Sequence, residues 1–135
     1  RLLALARTLG CESRVRHVGP VGAAEKLALF GSATCAVLPS LNENFGNVVV
    51  EAMAHGCPVV VTPGVGARAV VSASGGGIVA SAADAAALKA AIDELLSDPE
   101  SAAARGAAAA HHVRAHLSWP AVAARMAAMY RSMRQ

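Results

Sequence analysis

Between Leu38 and Gly66 the chain reads LPSLNENFGNVVVEAMAHGCPVVVTPGVG, and the order of residue types there leaves few folds open. Thr34 to Leu38 is a short apolar, partly β-branched run that stops at Pro39-Ser40, as a buried strand does where proline cannot supply a ladder N–H. A polar loop with Asn42, Glu43, Asn44 and Gly46 follows. From Asn47 onward Val48, Val49, Ala52 and Met53 recur at three- and four-residue spacing. That spacing predicts a helix over roughly Gly46 to His55, with Gly56 as its left-handed stop. Cys57-Pro58 then leads into Val59-Val60-Val61-Thr62, a run of the kind buried on both faces of a parallel sheet. The unit is strand, loop, helix, strand.

In open parallel sheets ligands collect outside the carboxyl ends of the strands, which is where Pro39–Gly46 and Thr62–Gly66 both fall. A helix that starts after Gly46 presents unpaired N–H groups and about half an elementary positive charge, suited to a phosphate. Glu43 sits in the mouth of this crevice and Glu51 about a turn into the helix. A glutamate is a bidentate acceptor matched to vicinal hydroxyls such as those of a ribose. Two readings stand side by side at this point: a site for a phosphorylated sugar or nucleotide, and two solvated glutamates whose spacing arises by chance among six in the chain.

The same run resembles the most characteristic segment of the retaining glycosyltransferases of family 4, once called group 1. Their signature places two glutamates with seven residues between them around a Phe-Gly, then Glu-Ala-Met-Ala and Gly-x-Pro-Val, as at Glu43, Phe45-Gly46, Glu51–Ala54 and Gly56–Val59 here. The resemblance implies the two-domain GT-B architecture, with residues 1–135 as a partial C-terminal, nucleotide-sugar-binding domain. It implies roles as well. Glu43 is the catalytic candidate, near the donor sugar and its anomeric centre, and Glu51 bonds the ribose hydroxyls. Backbone groups of Asn44, Phe45 and Gly46 hold sugar hydroxyls and phosphate. Val15-Arg16-His17-Val18-Gly19 is similar to the family's V-x-F-x-G strand, whose end lines the nucleobase pocket, so Val18 and Gly19 join the donor-binding set. His17 replaces the usual aromatic, and packing on the sheet face is expected ahead of contact with the base. Many members carry a glutamate two or three residues after the position of Gly66, where this chain has Ala69.

Hydrophobic residues make up 55% of the chain but aromatics only 3%, which favours helices packed closely on a sheet through small side chains. A net charge of +3 is mild, and the basic residues are scattered with no aromatic platform between them, which argues against a nucleic-acid partner. No apolar run is long enough to span a membrane. Neither a secretory leader nor an initiator methionine opens the sequence, so the chain is expected to start inside a larger protein. Cys11, Cys35 and Cys57, unpatterned in spacing, read as small buried hydrophobes in a reducing compartment. That fits a cytoplasmic protein. His111, His112 and His116 have no carboxylate or cysteine at ligand spacing, and no metal or other cofactor is expected.

The remaining elements read as support. Arg1–Leu9 is a leucine-bearing helix ended by Gly10, Val15–Val18 a strand, and Glu25–Gly31 a short helix packing Leu27 and Phe30. Pro63–Gly66 is a turn-rich loop with little side chain to obstruct a ligand, and Ala67–Val71 begins a short helix. Ile78–Ala80 gives the last strand. A helix over Ala83–Leu96 turns Leu88, Ile92, Leu95 and Leu96 to one face, and another runs from Pro99 to about Ala115. Ser118 caps a final helix whose stripe is Val122, Met126, Met129, Tyr130 and Met133. The fold expected is a Rossmann-like, doubly wound parallel α/β sheet of about four strands flanked by helices, with a helical C-terminal tail.

What the resemblance implies for function is the donor-binding part of a retaining glycosyltransferase, moving a sugar from a nucleotide diphosphate sugar to an acceptor. The leaving diphosphate needs its charge neutralised in the transition state. Relatives do this with an arginine and a lysine from the first strand-helix unit of this domain, expected before Arg1. The acceptor pocket is expected on an N-terminal domain of the same enzyme, which relatives with lipid acceptors use at a membrane surface. By itself the polypeptide is expected to lack transferase activity. Two alternatives are a non-catalytic nucleotide- or sugar-binding module and a GT-B sugar-nucleotide epimerase.

Overall fold

In the computed structural model, which describes residues 1–133, three short strands pair in parallel. They are β1 (Ala36–Leu38), β2 (Val59–Val61) and β3 (Gly77–Val79), in the spatial order β1-β2-β3. Register sets Ala36 beside Val59 and Val59 beside Gly77. A central parallel strand loses both faces to neighbouring layers, and the three valines of β2 are all buried. Successive side chains of a strand point to opposite faces. Val59 and Val61 accordingly enter one core, and Val60 enters another.

Helices cover both faces, as a doubly wound sheet requires. On the first, α3 (Asn47–Ala54) contributes Val49, Ala52 and Met53, and α4 (Arg68–Ser74) contributes Val71. On the second, α5 (Ala85–Ser97) contributes Ala91 and Leu95. The long α6 (Pro99–His116) serves both, through Ala102 in the second core and Ala109 and Val113 in the first. Its crossing is close: a Cβ on Gly106 would lie 2.1 Å from the Gly56 carbonyl oxygen. Arg105 steadies it there, donating to the Gly77 carbonyl at 3.2 Å and to the Glu94 carboxylate at 3.0 Å. Asp98 separates α5 from α6 and caps the latter, accepting from the Ser101 N–H at 2.9 Å.

The sheet has three strands rather than about four. Val15–Val18 follows a single 3-10 turn (Glu12–Arg14) and starts extended, with φ −112° and ψ 120° at Val15, but pairs with no strand among the described residues. Strand propensity is a fit to a pleated, half-buried surface. With Val15 and Val18 both exposed, that surface is missing beside this segment. The first helix, α1 (Leu2–Thr8), buries only Ala6 and leaves its leucines to solvent. In α2 (Ala23–Ser32), Phe30 packs against the first core while Leu27 is exposed, contrary to the expected pairing of the two. Leu96 likewise points out of α5, because the apolar face centres on Ala91 and Leu95. The last helix, α7 (Trp119–Ser132), begins at the expected Ser118 cap and buries none of its residues; Met126, Met129 and Tyr130 are exposed. All three cysteines are free, with Cys57 buried and Cys11 and Cys35 partly so. Burial pushes the Cys57 thiol up and makes it an inert packing group.

Candidate functional site

Past the carboxyl ends of β1 and β2, two loops lie main chain against main chain. The Glu43 N–H donates to the Gly64 carbonyl at 3.0 Å, the Gly66 N–H to the Glu43 carbonyl at 2.9 Å, and the Ala67 N–H to the Phe45 carbonyl at 2.7 Å. Glu43 and Val65 thereby form an isolated parallel bridge that continues the β1–β2 pairing beyond Pro39. Thr62, fully buried, ties the base of the two loops by donating its hydroxyl to the Ser40 carbonyl. Such contact demands glycine. A Cβ on Gly64 would stand 2.0 Å from the Leu41 oxygen, and one on Gly66 1.9 Å from the Asn44 oxygen. The small residues of Pro63–Gly66, read from the sequence as clearance for a ligand, serve the neighbouring loop first.

Gly46 turns this loop into α3. Its φ of +86° and ψ of 64° are left-handed, and a Cβ there would lie 2.8 Å from Leu38 Cδ2. Any other residue would meet both the strained backbone and the clash. The Gly46 carbonyl accepts the Val49 N–H at 2.9 Å, and no side chain caps the helix start. By the geometry of a helix, the N–H groups of Asn47 and Val48 are left without intrahelical acceptors. Glu43 is half-buried beside this start, and among the described residues its carboxylate joins no ion pair. Asn44 and Phe45 are exposed.

Glu51 projects from the second turn of α3 towards α2. Its Oε2 accepts from Lys26 Nζ at 2.8 Å, and its carbonyl accepts from His55 Nδ1, also at 2.8 Å. One turn further on, the rings of Phe30 and His55 stand 6.2 Å apart. Lys26 and Phe30 thus face α3, while Glu25, Ala28, Leu29 and Ser32 on the other side of α2 line an open cleft of about 700 Å³. The facing wall of that cleft includes His17 and Val18, with Gly19 (φ +67°) completing the turn. His17 is therefore exposed to the cleft instead of packed on a sheet face. Five of the seven candidate residues, Glu43 to Gly46 and Glu51, come together on the β1–α3 unit; Val18 and Gly19 lie beyond α2.

Two residues of this region escaped the sequence reading. Thr62 looked like the end of a strand. Lys26 carried no signal of its own beyond a four-residue spacing to Phe30 that matches that of Glu51 to His55. On α6 the rings of His112 and His116 are 4.6 Å apart. Burial, and then the charges of His116 and His111, hold the His112 imidazole below its ordinary value. Among the described residues no group of three or more side chains is arranged to hold a metal ion.

Residues 1–112 match the family described as glycosyl transferases group 1, and the chain belongs to that family. It is 38% identical over 71 residues to a D-inositol 3-phosphate glycosyltransferase of Corynebacterium glutamicum, an alignment covering 53% of this chain and 17% of that protein. Among solved structures it is similar to the sucrose-phosphate synthase of Thermosynechococcus elongatus, with a TM-score of 0.84 and 35% identity over 98% of this chain and 33% of that one. WaaG, a glycosyltransferase involved in lipopolysaccharide biosynthesis, shares the fold, with a TM-score of 0.77 and 24% identity over 84% of this chain and 30% of its own. The chain thus spans a third or less of the relatives it matches.

Proposed function

We propose that this chain is the donor-binding part of a retaining, GT-B glycosyltransferase that moves a sugar from a nucleotide diphosphate sugar to an acceptor. The observation that carries the proposal is the stitched pair of loops. In it the Glu43 backbone is bonded past the carboxyl ends of β1 and β2, directly before a glycine-initiated helix whose first N–H groups lack intrahelical partners. In this reading the start of α3 and the backbone of Asn44 to Gly46 receive the phosphate and sugar hydroxyls. Glu51 accepts from the ribose, and the turn at Val18 and Gly19 borders the base. Glu43 stands beside the anomeric centre, where its charge stabilises the developing positive charge of the departing sugar. Membership of a glycosyltransferase family favours this over a non-catalytic module or an epimerase. The transfer needs no metal held by these residues.

The acceptor site belongs, on this proposal, to an N-terminal domain, and the enzyme works in the cytoplasm, at a membrane surface where its acceptor is a lipid. The test is made on the full-length enzyme. Glu43→Gln is expected to abolish transfer while leaving nucleotide affinity within about twofold. Glu51→Ala is expected to weaken nucleotide binding by about 1.5–3 kcal/mol, the range for a lost hydrogen bond to a charged group. Unchanged turnover in both variants would refute the assignment. A product with inverted anomeric configuration, read by proton NMR, would refute retention.

A further inference from the structure

We propose that Lys26 is a positioning residue for Glu51, holding one carboxylate oxygen so that the other is presented to the ribose of the donor. This rests on the donor-binding reading of Glu51 given above. The topology puts the pair at the right end of the molecule. Helix α2 runs into the amino end of β1 and α3 leaves from its carboxyl end, so both helices run opposite to the strand and parallel to each other. Their N-terminal turns therefore share the crevice side. Lys26 is the fourth residue of α2, and Glu51 the fifth of α3.

A cation in the first turn of a helix opposes the helix dipole, so the position of Lys26 gains nothing from its own helix. What it meets is a carboxylate across the gap, with Nζ 2.8 Å from Oε2. The second rung, Phe30 against His55, and the His55 bond to the Glu51 carbonyl fix the rotation of α3 about its axis. The lysine and glutamate side chains are 35% and 44% exposed, so a ligand reaches the glutamate without expelling the lysine. An ionised carboxylate has about four acceptor sites on two oxygens. Lys26 occupies one on Oε2, which leaves Oε1 to take the hydroxyls of a vicinal diol. Without the ammonium the carboxylate samples several rotamers, and the diol must order it on binding.

The experiment compares the full-length enzyme with Lys26→Met, Lys26→Arg, Glu51→Gln and the Lys26→Met/Glu51→Gln double variant. The probes are UDP, GDP and ADP and their 2′,3′-dideoxy counterparts, titrated calorimetrically after thermal melts establish that each variant is folded. For the nucleotide that binds, the unmodified enzyme is expected to prefer the ribo form. Lys26→Met should weaken the ribo form three- to tenfold and leave the dideoxy form unchanged, Lys26→Arg should recover most of the loss, and Lys26→Met should add nothing in the Glu51→Gln background. A ribose preference that Lys26→Met leaves undiminished overturns the inference alone. Equal weakening of both forms does the same, because it marks Lys26 as a general phosphate contact. No ribose preference in the unmodified enzyme, or no binding at all, overturns the assignment of Glu51 and this inference with it.

Discussion

Gly66→Ala is the substitution that tests the stitched loops most sharply. Gly66 does not lie at positive φ, so alanine meets no backbone strain there and the whole cost is steric. Its Cβ would stand 1.9 Å from the Asn44 oxygen and 2.8 Å from the Asn44 carbonyl carbon, both main-chain atoms that cannot rotate away. An ordinary carbon–oxygen contact is about 3.3 Å or more, so the loops must part by roughly 1.4 Å. That movement breaks the Gly66-to-Glu43 and Ala67-to-Phe45 hydrogen bonds at 2.9 and 2.7 Å. Two backbone bonds at about 0.5–1.5 kcal/mol each, with the added cost of overpacking and a small entropic gain from alanine, give a destabilisation of about 2–4 kcal/mol. The assay is urea unfolding followed by circular dichroism, read against Gly31→Ala. Gly31 sits within α2 with open space around its Cβ position, and alanine there is expected to stabilise by about 0.5–1 kcal/mol. A Gly66→Ala loss below about 0.5 kcal/mol, with unshifted amide resonances at Asn44 and Phe45, would refute the packing argument.

Met53 is fully buried between α3 and the sheet, and Met53→Ala is expected to cost about 2–5 kcal/mol in the same unfolding assay. Asp98→Ala removes the cap on α6 and should cost about 1 kcal/mol, with the loss in amide protection confined to the first turn of that helix. The folded state holds the His112 imidazole below its ordinary value of about 6.5, chiefly through burial. The folded protein therefore binds that proton less readily than the unfolded chain does, and stability is lost as pH falls through about 6.5 and below. His112→Gln should flatten the pH dependence of the melting temperature between about pH 7 and 5, and an unchanged slope would contradict it.

The central strand-loop-helix-strand unit was legible in the sequence because each of its boundaries is marked by local chemistry. Pro39 stops one strand, Gly46 and Gly56 bracket the helix, and the β-branched Val59–Val61 run between turn residues has the pattern of a strand buried on two sides. The errors fall where a residue's fate depends on a neighbour in space. Val15–Val18 has the composition of a strand, yet a strand is completed by the ladder beside it. Leu27 and Leu96 have helical spacing but are exposed, since spacing shows that a face exists and is silent on what covers it. At the site, the types and spacing of Glu43 and Glu51 were visible. The reason for Gly64 and Gly66 was not, because the atoms they make room for lie some twenty residues earlier. Lys26 was invisible for the same reason, 25 positions from its partner.

The most direct test of the account is to map the nucleotide on the protein itself. Nitrogen-15-labelled full-length enzyme is titrated with the UDP, GDP and ADP conjugates of glucose, and amide shifts are followed residue by residue. The expected result is a saturable response to one base, concentrated at Glu43 to Val48 and at Gly64 to Ala67, extending to Gly19 and reduced at least tenfold in affinity by Glu51→Ala. Saturable binding that leaves those amides unmoved, or that Glu51→Ala does not weaken, would contradict the central claim.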